Sequence, residues 1–98
     1  MWVGTLTVEL LLGDVRSLKQ KRSIVRPVVA ELQRKLSVSA AEVGHLDLYR
    51  RAAIGVAVVA SDPGHCREVL DKAERLVAGR PEVELLSARA RLHNSEDE

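Results

Sequence analysis

The stretch 41–52, Ala-Glu-Val-Gly-His-Leu-Asp-Leu-Tyr-Arg-Arg-Ala, carries two acids (Glu42, Asp47), one histidine (His45), one aromatic ring (Tyr49) and two guanidiniums (Arg50, Arg51). These are groups that can move protons or hold charge. A histidine and an aspartate two residues apart in a connection can orient each other for acid–base work. The simpler expectation, which we adopt, is a turn held by local hydrogen bonds and ion pairs, with Tyr49 covering a sheet edge. On that reading His45 is partly buried. Glu42 or Asp47 accepts a hydrogen bond or an ion pair from Arg50, Arg51 or Lys21, and no residue is assigned a catalytic role.

The second constellation is cationic. From Arg16 to Lys35, seven of twenty residues are Lys or Arg, against the single acid Glu31. Lys19, Lys21 and Arg22 fall at the start of a helix, where the macrodipole already places about half a positive charge. Charge that opposes its own helix points to an external anion, and phosphate is the first choice. The candidate nucleic-acid contacts are Arg16, Lys19, Lys21, Arg22, Arg26, Arg34 and Lys35. The plain alternative is a solvated helix face. For Lys21, which falls near the edge of the apolar stripe, an internal ion pair or a snorkelling stem is the preferred reading.

Other chemistries find little support. His65 and Cys66 are adjacent on a helix and point about 100° apart, which is poor geometry for a shared metal. A lone Cys66 allows no internal disulfide and fits a reducing compartment. Neither a nucleophile elbow, a phosphate-binding P-loop nor a zinc-protease motif is present. Gly13-Asp14-Val15-Arg16 echoes an anion loop after a first strand only faintly, with an acid where the anion would sit. No cofactor is expected. No apolar run reaches the ~20 residues that span a bilayer, and the N-terminus reads as a strand rather than a signal peptide. A cytoplasmic protein with no membrane partner is expected.

The elements that must position these groups are legible in the periodicity. Residues 2–12 alternate, with Trp2, Leu6, Val8 and Leu10 on one face and Val3, Thr5, Thr7 and Glu9 on the other. Ser17 and Gln20 match a capping box, and Leu18, Val25, Val28, Val29, Leu32 and Leu36 form one helical stripe. Pro27 inside that pattern predicts a kink or a late helix start. Residues 38–45 make a short strand of small residues, and 52–60 a nearly continuous apolar strand that belongs at the centre of a sheet. Asp62-Pro63 is an N-cap followed by proline at the first helical position. Cys66, Val69, Leu70, Ala73, Leu76 and Val77 form the second stripe, with Glu68–Lys72 and Asp71–Arg75 as outward i,i+4 pairs. Gly79 ends this helix before Pro81, and residues 83–91 form the last strand.

The order βαββαβ gives an α+β, ferredoxin-like fold: a four-stranded antiparallel sheet with two helices on one face. Residues 1–93 form the single domain and 94–98 a frayed polar tail. The other sheet face stays open. Its central strands offer Thr5, Thr7, Gly55, Ala57 and Val59, which rules out base stacking on aromatic rings and leaves RNA binding through helix phosphates. The same smooth face would suit a second subunit. With one core and a net charge of +1, the distribution says more than the total: +4 over residues 1–51 and −3 over 52–98.

Ser17-Leu18-Lys19-Gln20-Lys21-Arg22, the stretch Ala41 to Ala52 and the strand Gly55 to Val59 together resemble the YlxP-like family of small bacterial proteins of undefined function, over nearly the whole chain. Tyr49 stands where that family more often has Trp, and Leu46 where it more often has Gln. The resemblance implies a ferredoxin-like fold. Gene neighbourhood in that family implies a role in translation or ribosome maturation. Three functions stand as expectations: a non-enzymatic binder of rRNA or a ribosomal particle; a homodimeric interaction module joined through the open sheet face; and, last, an enzyme using His45 and Asp47.

Overall fold

A computed structural model describes residues 1–95. The alternation of residues 2–12 becomes strand β1 (Trp2–Leu12). It is followed by α1 (Leu18–Leu36), β2 (Ser39–Gly44), β3 (Arg51–Ala60), α2 (Pro63–Ala78) and β4 (Val83–Asn94). The strands form one sheet in the order β2-β3-β1-β4, all neighbours antiparallel. This is the βαββαβ ferredoxin-like arrangement. Strands β2 and β4 are its edges.

Both helices bury their stripes on one face. From β1 come Leu6, Val8, Leu10 and Leu12, and from β3 Ile54, Val56 and Val58. These meet Val25, Val28 and Leu32 of α1 and Cys66, Val69, Leu70, Ala73 and Val77 of α2. The core is aliphatic, as a chain without Phe requires. Each fully buried Leu, Val or Ile contributes about 1.5–3 kcal/mol relative to an exposed one. Gly4 lets α2 approach β1: a Cβ there would lie 3.1 Å from both Cys66 Cβ and Leu70 Cδ1.

The helix ends follow their caps. Ser17 Oγ accepts from the Gln20 N–H at 3.1 Å. The Gln20 side chain reaches back one residue further than in the usual box and accepts from the Arg16 N–H at 2.7 Å. Pro27 sits inside a continuous α1, so the later helix start is not realised; the helix passes through and leaves the Ser23 carbonyl without its helical donor. Ser37, with φ 53°, closes α1 in the left-handed region, whereas Gly79 ends α2 with φ −81°.

Three expectations are corrected. Asn94 belongs to β4 opposite Trp2, and the Ser95 N–H donates to the Met1 carbonyl at 3.0 Å. The sheet therefore extends through the first part of the expected tail 94–98; residues 96–98 lie outside the described residues. The outward pairs Glu68–Lys72 and Asp71–Arg75 do not close; all four residues are exposed. The i,i+4 pair that does form is Glu31–Lys35, at 3.3 Å on α1.

The ladders carry two register shifts. The β1–β4 ladder slips between Glu9 and Leu10, and the β2–β3 ladder between Glu42 and Gly44. Bulges bend a strand and re-aim its side chains. Both lie at the end of the sheet where β2 hands over to β3.

Candidate nucleic-acid interface and the His45 turn

The turn between β2 and β3 is built around Lys21. This residue is 2% exposed, and its Nζ donates to the His45 carbonyl at 2.6 Å. It also lies 2.8 Å from Glu42 Oε2, an ion pair off the line of a hydrogen bond. A lysine on α1 thus pins a turn twenty-four residues away. It is not available to a phosphate, and its place among the candidate RNA contacts is corrected. The charge is buried, and a buried ammonium is held by its partners.

His45 adopts φ 56°, a left-handed conformation that histidine tolerates better than most residues. Its carbonyl also accepts from the Leu48 N–H at 3.0 Å. The ring turns away from Asp47 and toward β1: His45 Nε2 lies 2.7 Å from Glu9 Oε1. Arg51 Nη2 donates to the same oxygen at 3.0 Å. The hydrogen bond with His45 is the main cause holding the Glu9 carboxyl below the usual carboxylate range; partial burial opposes it, and Arg51 adds to it. Asp47 is exposed and finds no partner among the described residues. The acid that orients His45 is therefore Glu9, not Asp47. Tyr49 is exposed beside Leu46 and Leu48. Arg50 reaches back to the end of β1, donating from Nε to the Gly13 carbonyl at 2.8 Å and to the Leu12 carbonyl at 3.3 Å. The loop after β1 thus turns its carbonyls to a guanidinium, and Asp14 takes Arg16 at 3.3 Å. This is not the geometry of an anion loop.

The remaining cations divide into two groups. Arg16 is paired with Asp14, and Lys35 with Glu31. Glu31 also meets Arg80 at 3.3 Å, and its carboxyl is held below the usual range by the Lys35 hydrogen bond above all. Arg34 is exposed on the same end. Like Arg34, which is near Glu31 without pairing to it, Lys19, Arg22 and Arg26 form no ion pair, but they lie nearer the start of α1. They are exposed and pair with no acid among the described residues, and no acid stands in the first turn of α1. Their i, i+3, i+7 spacing puts them on one face. With Ser23 and Pro27 they line a shallow groove of about 510 Å³.

The open sheet face holds what the sequence reading missed. Register places Arg91 beside Thr5, Arg89 beside Thr7 and Ser87 beside Glu9. These six residues line a cleft of about 430 Å³. The signal was present in residues 87–93, where Ser, Arg, Arg and His alternate with Ala, Ala and Leu, a period-two pattern with its polar set on one face.

The match to a family model of proteins of unknown function, DUF503, spans residues 3–90. The chain belongs to that family. It is 29% identical over 82 residues to the uncharacterised protein YlxP of Bacillus subtilis (strain 168), covering 84% of this chain and 89% of that protein. The expected YlxP-like resemblance is thereby shown. Among solved structures it superposes on a de novo designed protein with a ferredoxin fold, with a TM-score of 0.56 at 12% identity, over 97% of this chain and 88% of the designed one. That likeness concerns fold alone.

Proposed function

We propose that this protein is a non-enzymatic, cytoplasmic binder of structured RNA, acting on rRNA or a ribosomal particle in translation or ribosome maturation. The observation that carries this reading is the unpaired trio Lys19, Arg22 and Arg26. Three cations on one helix face, in no ion pair among the described residues and near the positive end of the helix dipole, offer charge that a phosphate can neutralise; Glu42, which lines a neighbouring groove with Arg22 and Arg26, is taken by Lys21. Arg16, Arg34 and Lys35 flank the trio and add longer-range attraction. Recognition here is by phosphate and shape, since the helix groove offers no aromatic platform. Among the described residues no helix is long and apolar enough to cross a membrane, which agrees with a partner in the aqueous phase.

The His45 turn serves this reading as a scaffold. Lys21 fixes the first turns of α1 to the β2–β3 connection, so the cationic face is presented in one orientation. Co-sedimentation with ribosomal subunits tests the proposal. Wild-type protein is expected in the pellet at low salt and in the supernatant at high salt, and the variant carrying Lys19→Glu, Arg22→Glu and Arg26→Glu in the supernatant at both. Wild-type protein that stays soluble at low salt would reject it.

A second reading, pairing of two copies through the open face, is favoured by the exposure of Val43 (56%) and Val59 (62%) on its β2–β3 half. Light scattering of wild type beside Ala57→Glu tests it: a dimer that the added charge splits supports the pairing, and a monomer at high concentration excludes it.

A further inference from the structure

The open sheet face has two halves of opposite chemistry. On the β4 side, Arg89 and Arg91 stand beside the hydroxyls of Thr5, Thr7 and Ser87. Both guanidiniums are exposed and meet no acid within ion-pair distance among the described residues. Glu9, the acid in this cleft, is already held by His45 and Arg51. On the β2 side, Ala41, Val43, Gly55 and Ala57 line an apolar cleft of about 480 Å³. Thr5 and Thr7 belong to both clefts, so the two halves are continuous. The floor is smooth for a packing reason: a Cβ on Gly55 would come within 2.9 Å of Val43 Cγ1.

We infer that this face binds a single RNA strand, with phosphates on Arg89 and Arg91 and bases laid on the apolar floor. Alternate positions on a strand are about 7 Å apart, short enough to serve neighbouring phosphates of one chain. The hydroxyls of Thr5, Thr7 and Ser87 supply neutral donors between them. With no aromatic side chain in either cleft lining, the bases gain only apolar contact, and binding tolerates any sequence. Charge selects this occupant over a second copy. A copy seated over the whole face would desolvate its own guanidinium pair and its partner's with no acid to receive them; a phosphodiester chain brings the missing charge.

The consequence is bivalence. The helices cover one side of the sheet and this cleft lies on the other, so one molecule holds a structured RNA on α1 and a single strand on the sheet. The bridging, though not the cleft, rests on the α1 reading proposed above.

The test uses an immobilised RNA hairpin and labelled oligouridine in solution. Wild-type protein is expected to retain oligouridine on the hairpin. Arg89→Ala with Arg91→Ala keeps hairpin binding, loses oligouridine capture by about tenfold or more, and lowers the oligouridine salt slope by about 1.4, the value for two single-strand phosphates. Arg89→Lys with Arg91→Lys restores much of the capture, because charge is kept. Oligouridine binding by the double alanine variant with the wild-type slope overturns the inference. So does a wild-type dimer, seen by light scattering, that oligouridine does not dissociate. Oligouridine bound by a protein that ignores the hairpin overturns the α1 reading and the bridging but supports the cleft.

Discussion

Lys21 sits among cations in the sequence and is buried in the fold. Its apolar-stripe position was readable from a 100° step, and so was the choice of an internal ion pair over a ligand contact. Its partners were less so: Glu42 lies in the turn motif, but the His45 carbonyl accepts only because His45 takes a left-handed backbone. Replacing Lys21 with Met strands the Glu42 carboxylate and leaves that carbonyl only the Leu48 N–H. Removing one member of a buried pair costs roughly 3–5 kcal/mol, and chemical denaturation should show a loss of that order, partly recovered when Glu42→Gln is added. Asp47→Ala, by contrast, should leave stability within about 0.5 kcal/mol, because Asp47 is exposed and meets no partner among the described residues. The Glu9–His45 contact was not legible at all. The two residues are 36 apart, and their meeting depends on strand register and on the bulges at Glu9 and Val43. It has a pH signature. A carboxyl whose folded pKa is depressed binds protons more readily in the unfolded chain. Its stabilisation is therefore full above the ordinary Glu value of about 4.3 and is lost as pH falls through the lower folded value. Unfolding of Glu9→Gln should show a shallower loss of stability over that acid range than wild type. Equal slopes for the two proteins would mean the contact does not hold the carboxylate in solution.

At the scale of elements, the sequence carries its own punctuation. Ser17 with Gln20, Asp62 with Pro63 and the period-two run of β1 each combine a local preference with a matching apolar pattern, and the fold uses them all. What local reading missed is extent and facing. Strand β4 runs on to Asn94 because antiparallel pairing with Trp2 and Val3 continues that far, a long-range cause. Its polar set, Ser87, Arg89, Arg91 and His93, faces the open side for the same reason. Pro27 shows the converse: a strong local breaker is tolerated because Val25, Val28 and Leu32 are buried on both sides of it. Gly4 is a packing device at this scale. Gly4→Ala places a methyl against Cys66, Leu70 and Val58 at 3.1–3.2 Å, and overpacking of this kind costs about 1–3 kcal/mol. Thermal unfolding checks it: a melting temperature equal to wild type would show that α2 can move away from β1 without penalty.

At the scale of the molecule, dimensions of 45 × 25 × 19 Å exceed the Debye length of about 8 Å at physiological salt, so cations far from a contact are largely screened from the RNA. A bare count of charge would therefore predict weak attraction to polyanions for many proteins of this size. The claim made for this one is narrower: three side chains of α1, Lys19, Arg22 and Arg26, contact phosphate directly. The measurement that tests this is the slope of log affinity against log salt for an RNA hairpin, compared between wild type and Lys19→Ala, Arg22→Ala and Arg26→Ala taken together. Each direct phosphate contact contributes roughly 0.7–0.9 to the slope. Losing all three should flatten it by about 2 to 3 and weaken binding throughout the low-salt range, while the fold, followed by circular dichroism, stays intact. A triple variant that binds the hairpin with the wild-type slope, or a wild type that does not bind it at low salt, would contradict the account.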